Sequence, residues 1–313
     1  MNNRPAGITL AFVTAVISGV SIYVNSLAVK HFTDPTVYTT AKNGVAGLLL
    51  LLLLWAVARR QPARPRRPRA APPTRITAAA LLLLAVIGGS VPFVLFFEGL
   101  SKAQATQAAF IQKTLVVWVA ILAVPLLRER FRFPHALAIA LLIAGQAWIV
   151  GSAGRIVFGA GEEMILGATL LWAVEVVYVR WLLHQELFDS HVLAAARMGL
   201  GTVLLLAWLA ITGKLSALSV LTSEQWRWIA LTGTLLFGYV GTWYAALARA
   251  QAVDVTAVLV FGAVITALLA GTAGSSPISV PGVLLIVCGS MLITWTTLRT
   301  PAGVRKPGNK MIA

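Results

Sequence analysis

Residues 34–47 read DPTVYTTAKNGVAG, and residues 189–202 read DSHVLAAARMGLGT. A constant offset of 155 pairs Asp34 with Asp189, Val37 with Val192, Ala41 with Ala196, Lys42 with Arg197 and Gly44 with Gly199. The same offset pairs Tyr23-Val24 with Tyr178-Val179, and LSKAQA at 100–105 is echoed by LARAQA at 247–252. Three matches in the same order mark an internal repeat, which sets the whole architecture. Each copy holds five apolar segments, an odd number, so the second copy crosses the membrane in the opposite sense to the first. Inverted repeats of this kind characterise secondary transporters, whose substrates bind near the midplane where the repeats meet.

The apolar windows fall near 6–29, 34–58, 76–99, 103–126, 133–152, 164–183, 190–212, 225–248, 252–273 and 278–298. Of the 313 residues, 58% are hydrophobic and 11% charged, far below the roughly 25% charge of soluble domains. A spanning helix takes about 20 apolar residues, so ten spans leave only short connectors. Runs such as Leu48 through Leu54 do not alternate, which excludes a transmembrane barrel. The expected fold is an all-α polytopic membrane protein of ten helices. It divides into a first repeat at 5–150, a second at 160–298 and a tail at 299–313. The first span is too long and too polar inside for a cleaved signal peptide, so it is expected to remain.

The charge of +15 is first an orientation signal. Ten spans place 17 basic residues on one side, including Arg59 through Arg75 and Arg128, Arg130 and Arg132. The other side holds five: Lys30, Lys102, Arg155, Lys214 and Arg227. Both termini are therefore expected in the cytoplasm, with the chain in the cell membrane. No nucleic-acid partner is called for, although the Arg/Pro run would also suit anionic lipid.

Charges inside spans are costly and point to a transport pathway. Lys42 and Arg197 each stand eight residues into their spans, roughly 12 Å deep and from opposite surfaces. Lys113 and Glu175 fall near the midplane, and Glu98 near the end of its span. By depth, Glu98 can pair with Lys42 or Lys113, and Glu175 with Lys113 or Arg197. The surplus of one cation favours a substrate carrying carboxylate or phosphate. Thr14, Ser18, Ser21 and Asn25 recur at helical spacing as one polar stripe, which must face protein or a water-filled cavity. Tyr239 and Trp243, one turn apart beside Gly238 and Gly241, either pack closely or line a cavity for an apolar moiety. The expected substrate contacts are Lys113, Glu175, Lys42, Arg197, Ser18, Ser21, Asn25, Tyr239 and Trp243.

The glycine-led first span, the Asp34-Pro35…Lys42 opening of the second, and Leu126-Leu127-Arg128-Glu129-Arg130 closing the fourth resemble the EamA type. That type belongs to the drug/metabolite transporter superfamily, and the resemblance covers nearly the whole chain. It implies ten helices, cytoplasmic termini, a central cavity, alternating access and a small-molecule substrate. One departure is the Gly274-Ser275-Ser276 stretch, where the type often carries an acidic residue. Proton coupling through Glu175 or counter-substrate exchange would drive such a carrier. A lipid flippase is the rival reading, and an intramembrane enzyme a weaker one. No Gly-x-Ser-x-Gly, Walker A or clustered metal ligands occur, so no cofactor is expected.

Overall fold

A computed structural model describes residues 4–60, 74–152, 158–274 and 278–299. Most of the basic segment 59–75, Arg155, the Ser275-Ser276 stretch and the tail beyond 299 lie outside the described residues. Helix is the regular structure throughout. The ten elements are α1 (Arg4–Ala28), α2 (Pro35–Arg60), α3 (Thr74–Leu84 and Val91–Leu100 joined by a π-helical turn, Ala85–Ser90) and α4 (Ala105–Lys113 and Leu115–Leu127). They continue with α5 (Phe133–Ser152), α6 (Ala160–His184), α7 (Ser190–Ile211), α8 (Ser223–Leu247), α9 (Ala252–Leu259 and Gly262–Thr272) and α10 (Val280–Arg299).

Nine of these, among the described residues, are long and apolar enough to span a bilayer. The exception is α8, whose 25 residues suffice in length. Its apolar content is diluted by Thr232, Thr234, Thr242, Tyr239 and Tyr244, several of which turn inward.

The packing repeats as the sequence does. Helix α1 lies on α8, and its counterpart α6 lies on α3; α2 packs on α8, and α7 packs on α3. The pairs α2–α7 and α5–α10 join counterpart to counterpart. Two helices expected to be continuous are broken, α4 at Thr114 and α9 at Val260-Phe261. They are counterparts, and discontinuous helices are what inverted-repeat transporters place beside the substrate.

Close approach depends on glycine at matching places. A Cβ at Gly201 of α7 would fall 2.6 Å from the Gly89 carbonyl oxygen of α3. In the other half, a Cβ at Gly233 of α8 would fall 3.1 Å from the Lys42 carbonyl oxygen of α2. By contrast Gly241 faces open space and Gly238 comes no closer than 3.4 Å to Ile17, so neither marks a tight crossing. Gly201→Val is accordingly expected to cost about 1–3 kcal/mol or more. Gly241→Ala should leave the thermal midpoint unchanged or slightly raised. Melting curves in detergent check both.

Candidate functional site

At the centre lies a cavity of about 60 Å³ walled by both repeats, room for a few water molecules. The first repeat contributes Ser18, Ser21 and Asn25 from α1, Lys42 from α2, Phe93, Phe96 and Phe97 from α3, and Gln112 from α4. The second contributes Trp172 and Glu175 from α6, Arg197 from α7, and Tyr239 and Trp243 from α8.

Local structure explains how these groups are held. Asp34 Oδ1 accepts the N–H groups of Thr36 (2.8 Å) and Val37 (3.3 Å), capping α2 with Pro35 in its first turn. Lys42 follows that cap about two turns later. In α3 the π turn spreads the backbone, and the Gly88 carbonyl accepts from Arg197 Nε at 3.0 Å and Trp172 Nε1 at 3.3 Å. Such turns recur at functional sites because they free a backbone acceptor within a helix.

The two matched cations meet different partners. Arg197 Nη2 lies 3.7 Å from Glu175 Oε2, and Tyr244 donates its hydroxyl to Glu175 Oε1 at 2.5 Å. Lys42 has no carboxylate within ion-pair distance among the described residues. Its ammonium sits 3.4 Å over the Phe97 ring, with Tyr38 at 5.4 Å and Phe93 at 5.5 Å. The one polar contact is a long bond, 3.5 Å, to Asn25 Oδ1, which also accepts from the Tyr38 hydroxyl at 2.6 Å. Arg197 Cζ stands 5.6 Å from the same Phe93 ring, so both cations approach one aromatic ring.

Lys113 is placed differently from the expectation that it looks into the cavity. It is buried at the break in α4 and donates to Ser18 Oγ (2.8 Å) and Gln112 Oε1 (2.7 Å), two groups that line the cavity in front of it. A cation in the last turn of a half-helix also suits the helix dipole. Of the pairs feasible by depth, only Glu175–Arg197 forms. Glu98 instead accepts from the Thr36 hydroxyl at 3.0 Å. Of the polar stripe, Thr14 meets Thr242 on α8 at 2.8 Å and does not reach the cavity, whereas Ser18, Ser21 and Asn25 do. Tyr239 and Trp243 stack at 6.1 Å along one wall. Trp55, Trp181, Trp208, Trp226 and Trp295 are exposed on the outer surface, in keeping with interfacial anchoring.

Each end of the bundle is closed by a different chemistry. On the face where α1 begins, Glu129 accepts the N–H groups of Ala252 (2.8 Å) and Val253 (3.1 Å), capping α9 from the end of α4. Arg180 Nε lies 3.6 Å from Glu129, and Arg180 Nη1 donates to the Leu247 carbonyl at 2.6 Å. His135 and Asp254, 3.7 Å apart, complete this buried cluster. On the opposite face the closures are exposed: Lys214 pairs with Asp34, and His31 with Glu224 at 3.4 Å. Partial burial alone would raise the Asp34 carboxyl, yet Lys214 and the Thr36 and Val37 N–H groups hold it below the ordinary 3.8. Lys214 is raised above 10.5 in turn. The clamp is thus present between these values, lost as pH falls through the lowered Asp34 value and as it rises through the raised Lys214 value. Being exposed, it is worth about 0–1 kcal/mol. Asp34→Asn should leave the midpoint within that margin at pH 7 and remove its acid dependence below about pH 4, as read by melting across pH.

Sequence reasoning missed Phe93, Phe96, Phe97, Trp172 and Tyr244, because aromatic residues in an apolar span carry no signal of which way they face. It also missed the role of Glu129, visible only as part of a motif, and of Arg180, which is buried beside it. Among the described residues no three His, Cys, Asp or Glu side chains come together to hold a metal.

A ten-helix bundle with a charged central cavity shared by two inverted repeats defines the class, a polytopic membrane transporter. The model of the EamA-like transporter family matches residues 5–151 and again 159–295. The chain belongs to that family. A solved crystal structure of a protein matches over 95% of this chain and 99% of its own, with a TM-score of 0.72 at 18% identity, which speaks for the fold alone. No curated protein matches the sequence.

Proposed function

We propose that this chain is a secondary transporter of the cell membrane, carrying a small metabolite such as an amino acid or organic anion by alternating access, in the direction of export. The observation that carries this reading is the central cavity, whose charged and aromatic wall is drawn from both repeats, 5–150 and 160–298. Lys42, Glu175, Arg197, Ser18, Ser21, Asn25, Tyr239 and Trp243 touch the substrate. Lys113 acts through Ser18 and Gln112. The face where α1 begins is cytoplasmic, in line with its excess of basic residues.

Opening follows the cheaper route. Removing a partner from a buried ionic cluster costs about 3–5 kcal/mol, against about 0–1 kcal/mol for an exposed pair. The face held by Asp34–Lys214 and His31–Glu224 is therefore the one that parts more readily. Glu175 is the carboxylate positioned to carry a coupling proton, with counter-substrate exchange as the alternative drive.

Reconstituted vesicles, offered amino acids, sugars, organic acids and organic phosphates, test the reading. Flux of a soluble metabolite without nucleotide is expected. Movement of lipid headgroups with no soluble substrate, or flux that requires ATP hydrolysis, overturns it. An ionophore that collapses a pH gradient without altering flux eliminates the proton-coupled form.

A further inference from the structure

The two repeats present matched cations to the cavity, but only one repeat supplies a counter-charge. On α6 the cavity is lined at Trp172, Glu175 and Val176; on α1 it is lined at Ser18, Ser21 and Ile22, with the same spacing. By that spacing, one residue off the 155 offset of the repeat, Ser21 is the lining group of the first repeat in the position of Glu175, and it brings no charge. Arg197 keeps its carboxylate, whereas Lys42 faces an amide oxygen at 3.5 Å and three rings. Arg197 Nη1 is also buried without a hydrogen-bond partner.

We infer that the substrate itself is the missing counter-ion of Lys42: a monoanion with a flat apolar body, of the aromatic monocarboxylate class. This rests on the transporter reading above. Among the side chains that line the cavity, Lys42 is the cation without a carboxylate and Glu175 is engaged by Arg197 and by the Tyr244 hydroxyl, while Lys113 is held behind Ser18 and Gln112. A monoanion balances that account. A dianion such as a phosphate monoester exceeds it, and a zwitterion or an amine brings an ammonium for which no free carboxylate waits. The rings supply the second half of the recognition. Phe93 meets Trp172 edge to face at 5.5 Å, and Tyr239 and Trp243 stack in parallel along the other wall, leaving flat apolar faces for an aryl group. Cation–π contact with Phe97 takes the place around Lys42 that a carboxylate takes around Arg197. A carboxylate docking on Lys42 adds a charge-assisted hydrogen bond to it.

Phenylacetate, phenylalanine, phenethylamine and phenyl phosphate share one ring and differ only in charge, so they serve as probes. Binding is measured by calorimetry on the purified full chain and flux by counterflow in vesicles. Phenylacetate is expected to bind tightest of the four. Lys42→Met should weaken it about 10- to 100-fold, the range for losing a hydrogen bond to a charged group. Ser21→Glu, which gives the first repeat its own carboxylate, should remove phenylacetate binding and favour phenethylamine. Should Lys42→Met fail to fold, Ser21→Glu at the cavity surface carries the test. Preference for phenylalanine, phenethylamine or phenyl phosphate over phenylacetate, or unchanged phenylacetate binding in Ser21→Glu, overturns the assignment while leaving the transporter reading intact. Binding of none of the four also overturns it, and flux of any other metabolite then decides the transporter reading separately.

Discussion

Glu175→Leu is expected to lower the free energy of unfolding by about 3–5 kcal/mol and to abolish transport. The carboxylate is buried and engages two groups, Arg197 at 3.7 Å and the Tyr244 hydroxyl at 2.5 Å. Leucine fills the space but strands a guanidinium in a site that water does not reach freely, the costly half of any buried pair. The double variant Glu175→Leu with Arg197→Met removes both charges at similar volume. It should recover most of the lost stability while transport stays absent. Thermal melts and vesicle flux on the parent and the two variants separate the two roles. If the double variant is no more stable than Glu175→Leu alone, the pair does not hold the helices as described.

Glu129→Ala should be nearly as damaging, again by about 3–5 kcal/mol, although Glu129 lies far from the cavity. It accepts two backbone N–H groups at the start of α9 and faces Arg180, so alanine uncaps a helix and unpairs a buried cation together. Burial pushes the Glu129 carboxyl above its ordinary 4.5, against the pull of Arg180 and the Ala252 and Val253 N–H groups. The folded chain therefore holds this proton more tightly than the unfolded chain does. Its contribution to stability declines as pH rises from 4.5 through the raised value. Glu129→Gln should flatten that part of the profile, and it should lose less than alanine because its amide oxygen still accepts from α9. The functional consequence is a weakened seal on the face where α1 begins. A cysteine at the buried Ala252 position, with the exposed Cys288 first changed to serine, reports it. Labelling by a charged thiol reagent is expected to rise in Glu129→Ala and stay low in the parent. Equal labelling in both would show that Glu129 does not close this face.

Helix number, the repeat and its inversion follow from the one-dimensional order of residues, because bilayer thickness sets a fixed length and every span must satisfy its own backbone. The offset between Lys42 and Arg197 is likewise a property of the string. Depth along a helix was legible too, since rise per residue is constant. Azimuth was not. The sequence placed Lys113 at the right depth but could not tell that Ser18 and Gln112 stand between it and the cavity. Nor could depth decide which cation Glu175 would choose, because Lys113 and Arg197 were both within reach along the axis. The breaks in α4 and α9 carry no proline or glycine pair to announce them at Thr114, and the π turn in α3 is visible only as Gly88-Gly89-Ser90. Those features depend on what neighbouring helices offer in exchange for a lost backbone bond, here Arg197 and Trp172 on the Gly88 carbonyl. The periodicities of length and depth belong to a single helix and can be read along it. Pairing, facing and unwinding are settled between helices, where a buried polar group takes whichever partner the packing brings within hydrogen-bond reach.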